Sequence, residues 1–443
     1  MAYSSRHGRR PQEFASRSSH SHVIRDPVVS AFLGRCNLPA AAEDVTIRDD
    51  QIVCVEPDEN PIKHFVAVDG GYSEVPVRTE FPSATVCFFQ FGALFFALED
   101  LLHLERQAFI DPEDMARLKN IQRFKLVIPV RNMSLDTETS LTHSVRRALH
   151  EFFVSVEDPP LIHALRWLVF QEYRGSRPSN WDLASCPTCG QGPVRLRRRN
   201  ISKEYTFHCQ YCEEPIYLID VFRLHEAIDD ELGAGGILGY LTVTVEQMLI
   251  AHLIRTILLT KPGLLHDILF IKDGPLAFFG QTANMHKPMR ELVKWLFEQH
   301  NLFLAGLEKS GPFVEHADEI AGLIEPGTAI LLDDDYIYKY VLPARGASVG
   351  PYGRTTYYGS KLIYKTRSGA MYVATLPTAD IIERPTAADL RNLNTILTNI
   401  EALRCDMYDS ALIPVALANK LVSLANHPSS RILQAFAREA VPH

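Results

Sequence analysis

The sequence predicts an α/β protein, a mixed β-sheet flanked by helices and interrupted by a small metal-binding ribbon. Three observations predict it. Two strongly apolar runs, 64–70 and 268–274, each end in Asp-Gly, at Asp69 and Asp273. Other segments space their apolar residues at the helical period. Between them, Cys186-Pro-Thr-Cys189 and Cys209-Gln-Tyr-Cys212 form two C-x2-C pairs separated by nineteen residues.

Taken in chain order, the first residues carry Arg6, Arg9, Arg10, Arg17 and Arg25 among Ser and His, without the apolar core of a signal peptide. We read 1–27 as a disordered basic tail and 28–174 as the first part of the main domain. The strand 64–70 is followed by 85–91 and 94–98, short aromatic strands meeting at a turn or bulge around Gly92, and by the strand 124–130. Strand after strand in this region implies a sheet that begins with antiparallel pairs. Helical spacing covers 139–154 and 161–173, with Pro159-Pro160 between them. The Arg/Pro/Ser-rich 174–180 leads into the ribbon, assigned to 175–220. In the second part, 221–443, a helix over 245–259 stops at Lys261-Pro262-Gly263 and feeds the strand 268–274. A helix at 288–300, strands at 302–307 and 329–332, a hairpin of 361–364 with 371–376, and helices at 386–404 and 414–425 complete the chain.

The chain has 443 residues, of which 46% are hydrophobic, enough for a sizeable core. A net charge of -8 excludes a surface coated with positive charge, so any nucleic-acid contact must be local. No uncharged apolar stretch reaches the roughly 18 residues of a membrane span; the nearest, 84–98, holds Gln90 and Gly92. With no secretory feature, a cytoplasmic protein without membrane contact is expected, and Cys36, Cys54, Cys87 and Cys405 are expected as thiols. The glycine-rich 233–239 lacks the lysine of a phosphate-binding loop, so no ATPase activity is expected.

Two C-x2-C turns at this separation offer four thiolates to one tetrahedral zinc, and four leave no open position. Cys186, Cys189, Cys209 and Cys212 are therefore expected to bind a structural Zn2+. A redox pair is the alternative. The tip Arg195-Leu196-Arg197-Arg198-Arg199 suits phosphates, an acidic partner, or simply solvent.

Asp69 and Asp273 at strand ends, with Glu246 on the helix that feeds the second strand, would set three carboxylates around hard ions such as Mg2+ or Mn2+. Such ions bridge a scissile phosphate and stabilise its leaving oxygen, which points to phosphodiester hydrolysis. Against this, Asp-Gly is also an ordinary turn dipeptide. The triplet Asp333-Asp334-Asp335 reads as a solvated strand end.

The blocks Val66-Ala67-Val68-Asp69-Gly70-Gly71-Tyr72-Ser73, Leu269-Phe270-Ile271-Lys272-Asp273-Gly274-Pro275-Leu276 and Leu304-Ala305-Gly306-Leu307-Glu308-Lys309-Ser310 resemble, in order and spacing, the successive blocks of NurA-type nucleases. The resemblance runs from about residue 60 to the end, interrupted by the ribbon. It implies an RNase H-like core and Mn2+- or Mg2+-dependent DNA degradation, with single-strand endonuclease and 5'-to-3' exonuclease activity. It also implies a homodimer working with a HerA-type hexameric ATPase and translocase in DNA repair, as end processing, or in phage defence. By motif position Asp69 and Asp273 take the metal-binding aspartates. Glu246 takes the glutamate in preference to Glu226 and Glu231, because its helix leads into the Asp273 strand. Tyr408 matches a C-terminal tyrosine of the family, and Asn419 stands where a histidine is expected. An amide can offer a carbonyl oxygen but cannot transfer protons near neutral pH.

Between Tyr336 and Ala379 the chain has no acid, while Lys339, Arg345, Arg354, Lys361, Lys365 and Arg367 alternate with Tyr352, Tyr357, Tyr358 and Tyr364. Such a stretch can follow a phosphate backbone and stack bases. Lys309, Arg345, Arg354, Lys361 and Lys365 are the expected DNA contacts. Two other readings remain open: a catalytically weak zinc-ribbon adaptor that binds DNA or the ATPase, and a metal phosphatase acting on small molecules.

Overall fold

The computed structural model describes residues 22–36, 40–56, 59–99, 121–136, 138–155, 159–175, 180–343, 350–405, 412–424 and 429–440. The chain divides into two units, Met1–Val45 and Thr46–His443. Up to residue 21 the expected basic tail lies outside the described residues. In the first unit, helix α1 (Pro27–Leu33) starts behind Asp26, whose carboxylate accepts the Val28 and Val29 N–H groups.

The second unit is built on a nine-stranded mixed sheet. Its strands are β1 (Ile52–Cys54), β2 (His64–Arg78), β3 (Ala84–Ala97), β4 (Ile121–Arg131), β9 (Ile268–Asp273), β10 (Phe303–Glu308), β11 (Thr328–Leu331), β12 (Gly359–Lys365) and β13 (Met371–Pro377). Their order is β1-β11-β12-β13-β10-β9-β2-β3-β4. β2, β3 and β4 are joined antiparallel, whereas β2–β9 and β9–β10 are parallel. Three antiparallel strands continued by two parallel ones form the RNase H-like arrangement that the resemblance implies. The sheet does begin with antiparallel pairs, and β12–β13 is the expected hairpin.

The expected break around Gly92 is absent: β3 is one strand of 14 residues. Gly92 pairs with Asp69 in mid-ladder, and a Cβ there would lie 2.8 Å from Val422 Cγ1. The glycine makes room for a helix and makes no turn. Gly70 behaves likewise, since β2 runs on past it to Arg78 and its Cβ would meet Phe91 and Thr242 at 2.7 and 3.0 Å.

Successive residues of a strand face opposite ways, and the sheet is accordingly covered on both sides. Val66, Val68 and Phe270 pack with helices α2 (Leu141–Ser155), α3 (Leu161–Val169), α4 (Leu238–Thr260) and α5 (His286–Gln299). Phe65, Ala67, Leu269 and Ile271 pack with α7 (Leu393–Ala402) and α8 (Ile413–Val422). Helix α6 (Pro312–Glu319) lies against β13, and α9 (Ser429–Ala440) against the far end of β2. The segment Gly235–Thr260 is long and apolar enough to cross a membrane, but 72% of its most apolar window is buried in this fold. α4 is the crossover from the ribbon into β9, pressed between the sheet and α3.

The ribbon consists of two antiparallel hairpins, β5 (Asn180–Leu183) with β6 (Val194–Arg197) and β7 (Thr206–His208) with β8 (Pro215–Tyr217). It is no satellite. Leu183, Val194, Leu196, Phe207 and Ile216 belong to the same hydrophobic cluster as α2, α3 and α4. Arg146 of α2, 3% exposed, holds the fully buried Asp220 carboxylate at 2.8 Å and donates to Pro215 O at 3.2 Å. Breaking such a pair from one side costs about 3–5 kcal/mol, so the ribbon's seat on α2 is firmly defined.

Candidate active site

Parallel pairing of β2 with β9 ends at Val68 and Lys272, and beyond it β2 continues paired only with β3. Asp69 therefore stands where its neighbour strand departs, and Asp273 closes β9 beside it. The chain leaves β9 through Gly274, whose φ of +82° suits glycine. Both acids follow the residues that face α7 and α8, whereas Glu246 reaches the same end of the sheet from α4 on the other face.

Asp69 is 4% exposed. One oxygen, Oδ1, accepts the Gly70 N–H at 2.8 Å, while the buried Oδ2 has no partner. Burial first, then the Asp273 and Glu246 carboxylates, push the Asp69 carboxyl up to about 7, against the opposing pull of Lys309 and the Gly70 N–H. Burial likewise raises Glu246, partly offset by Lys272. A group of carboxylates that disfavour one another's charge, with an orphaned buried oxygen among them, is what a missing cation would leave. The hard oxygen donors fit Mg2+ or Mn2+.

Two lysines hold Glu246 and Asp273 in their present positions. Lys272, almost fully buried, pairs with Glu246 Oε2 at 2.7 Å and also donates to Asp273 O. Lys309 Nζ lies 2.8 Å from Asp273 Oδ2. Glu246→Gln would strand Lys272 as a buried uncompensated charge and is expected to lower stability by about 3–5 kcal/mol in urea unfolding. Adding Lys272→Met should recover most of that loss without restoring any Glu246-dependent activity. A double variant as unstable as the single one would show that the ion pair is not the cause.

Of the alternative glutamates, Glu226 is held by Arg223 at 2.6 Å and Glu231 is exposed. Asn419 is exposed on α8, one turn before Val422, whose carbonyl oxygen would lie 2.8 Å from a Cβ on Gly71. Tyr408 and Arg345 lie outside the described residues. Arg354 is exposed.

The expected DNA contacts at Lys361 and Lys365 need correction, because both lysines are engaged inside the fold. Lys361, 1% exposed, pairs with Glu308 and sits 4.0 Å from the Phe313 ring centroid. Lys365 donates to Ala321 O and Ile324 O at 2.8 and 2.9 Å. Arg367 is engaged by Glu401 and Val55 O. Tyr358 and Tyr364 are core residues, and the Tyr358 hydroxyl donates to Gln247 beside Glu246. The acid triplet is not simply solvated either: Asp333 is buried against Arg48 and caps Tyr336 N, and Asp335 pairs with Arg384.

The four ribbon cysteines converge as the spacing predicts. Among the described residues they are the one group of three or more His, Cys, Asp or Glu side chains whose ligand atoms all lie within 4.8 Å of one another. Asp69, Glu246 and Asp273 do not all lie within that distance of one another. Cys186–Cys212 and Cys189–Cys209 Sγ distances are both 3.9 Å, close to the roughly 3.8 Å edge of a tetrahedron with Zn–S bonds of about 2.3 Å. Thr188 N and Tyr211 N each donate to the first sulfur of their turn, at 3.4 and 3.3 Å. Both turns close through a left-handed residue, Gly190 at φ +72° and Glu213 at φ +62°. Glycine marked only the first in the sequence.

No protein-family model matches the chain, and no curated protein matches it. Among solved structures, it aligns over 96% of its length with 97% of the crystal structure of the NurA nuclease from Sulfolobus solfataricus, at 9% identity and a TM-score of 0.34. A second match, a crystal structure of NurA, aligns with 97% of this chain and is 99% covered, at 10% identity and a TM-score of 0.32.

Proposed function

We propose that the chain is a divalent-metal-dependent deoxyribonuclease of the NurA type, acting on single-stranded DNA and on DNA ends from the 5' side. The observation that carries this reading is the buried Asp69 carboxyl, its Oδ2 unmatched, near enough to Asp273 and Glu246 for their charges to raise it. The ordered blocks around Asp69, Asp273 and Lys309 supply the family resemblance.

Asp69, Asp273 and Glu246 would hold the Mn2+ or Mg2+, and the ion, when bound, would supply charge stabilisation at the scissile phosphate and its leaving oxygen. Lys309, already at Asp273 and partly exposed, would neutralise a phosphate oxygen. Lys272 favours the ionised form of Glu246 in a buried setting. Arg354 and Lys339, both exposed, remain for the DNA backbone. The zinc held by the four ribbon cysteines would serve folding. By the same resemblance the enzyme works in the cytoplasm as a homodimer with a HerA-type hexameric translocase, in DNA end processing or phage defence.

The test is incubation of purified protein with labelled single-stranded and linear duplex DNA in Mn2+, beside Asp273→Ala. Wild type should degrade the single strand and the variant should not. Equal degradation by both would remove Asp273 from the site. No degradation by either would favour the DNA- or ATPase-binding adaptor, the reading that Asn419, unable to carry a proton, supports.

A further inference from the structure

We propose that the niche where α3, α4 and the ribbon meet is an anion site that takes a phosphate group. Arg166 of α3, Arg198 at the ribbon tip and Arg255 of α4 gather there around one carboxylate, Glu172. Arg166 Nε and Arg198 Nε approach its Oε1 at 3.0 and 2.8 Å. Arg255 has no ion-pair partner among the described residues, and its Nη1 is buried without an acceptor. Burial and the neighbouring Arg166 press the Arg255 guanidinium below its ordinary range. One turn earlier on the same helix, His252 is 3% exposed and its Nδ1 is buried and unmatched. Burial, Arg255 and His163 push this imidazole down to about 4, so it is neutral and adds no charge at pH 7. His163 is tied to the Tyr205 hydroxyl, and the Arg166 guanidinium lies 5.8 Å from the Tyr205 ring centroid.

Three guanidinium groups facing one carboxylate, with a buried donor left open, are costly unless an anion completes them. A guanidinium fork matches two phosphate oxygens at once. Arg197, Arg199 and Lys203 are exposed on the adjoining ribbon and extend the positive charge outward. The niche is separate from the acid site. Arg255 is nine residues from Glu246, about 13 Å along the helix and half a turn around it.

Only the source of the phosphate depends on the proposed DNA reading: a strand laid across the ribbon, or free inorganic phosphate. Thermal unfolding of the zinc-loaded wild type and Arg255→Gln, with and without millimolar inorganic phosphate, tests the site itself. Phosphate should raise the wild-type Tm and leave the variant's unchanged, and in phosphate-free buffer the variant should be no less stable than wild type. Binding of labelled single-stranded DNA, without divalent metal, identifies the source. If a strand supplies the phosphate, the log–log salt slope should fall by about 0.7 in the variant. An unchanged slope beside a lost phosphate response would assign the site to free phosphate. Equal phosphate stabilisation of both proteins, or a variant that unfolds earlier in phosphate-free buffer, would make Arg255 a packing residue and overturn the proposal. Absence of cleavage in Mn2+ would bear on the acid site alone.

Discussion

Asp69→Asn is expected to abolish DNA cleavage and, at the same time, to raise the melting temperature of the metal-free protein. The cleavage loss follows from removing a ligand charge from an ion worth several kcal/mol of transition-state stabilisation, about a thousandfold or more in rate. The stability gain follows from linkage. The Asp69 carboxyl titrates at about 7 in the folded chain instead of the usual 3.8. Below pH 4 the folded and unfolded forms both hold the proton and the substitution changes little. Between about 4 and 7 the unfolded chain releases it while the folded chain retains it, so wild-type stability falls as pH rises. Above 7 the full penalty is present, on the order of 2 kcal/mol after allowance for relaxation. Asparagine does not carry this penalty. Adding Mn2+ should then raise the wild-type Tm, because the ion binds only the folded form, and should leave Asp69→Asn nearly unmoved. Thermal scans at pH 4 and pH 8, with and without Mn2+, check every sign. A variant less stable than wild type at pH 8, or equally stabilised by Mn2+, would show that Asp69 is an ordinary buried polar residue.

Cys209→Ser is expected to cost the entire second unit its stability, beyond the loss of one zinc. In an independent module the effect would stop at the two hairpins. Here Cys186 and Cys209 sit in one apolar cluster with Phe153, Leu165 and Val245, and Arg146 locks β8 to α2. Structural zinc contributes folding energy directly, so its loss should appear as a fall in Tm of roughly 10 °C or more in a single transition. Zinc content should drop from one equivalent to near zero. Cys54→Ser, at an exposed thiol, is the control and should change neither. A separate low-temperature transition with the main one unmoved would make the ribbon an autonomous appendage.

The sheet was legible because its strands are apolar runs bounded by turn residues, and the ribbon because thiolate spacing has few other uses. What escaped was the role of glycines and lysines inside those runs. Gly70 and Gly92 were signals of close helix approach, yet a glycine in a strand equally suggests a turn or bulge. Lys272 and Lys361 each interrupt an apolar strand. That position marks a buried ammonium in need of a carboxylate, found at Glu246 and Glu308. The basic stretch after Tyr336 could not be sorted from sequence, because charge pattern does not say which lysines already have acceptors. The extension of α4 back to Leu238 was hidden by the glycine-rich run before it.

The parallel seam between β2 and β9 also bears on how the molecule emerges from the ribosome. β2 can fold back on β3 as soon as the hairpin is made, but the strand carrying Asp273 is translated some 200 residues later, after the zinc module and the crossover helix. Helix α8, which packs against β2, follows Asp273 by about 140 residues more. Contacts this distant along the chain form late. A nascent chain therefore carries Asp69 long before Asp273 arrives, and the three acids can meet only after the ribbon and the crossover helix have been made.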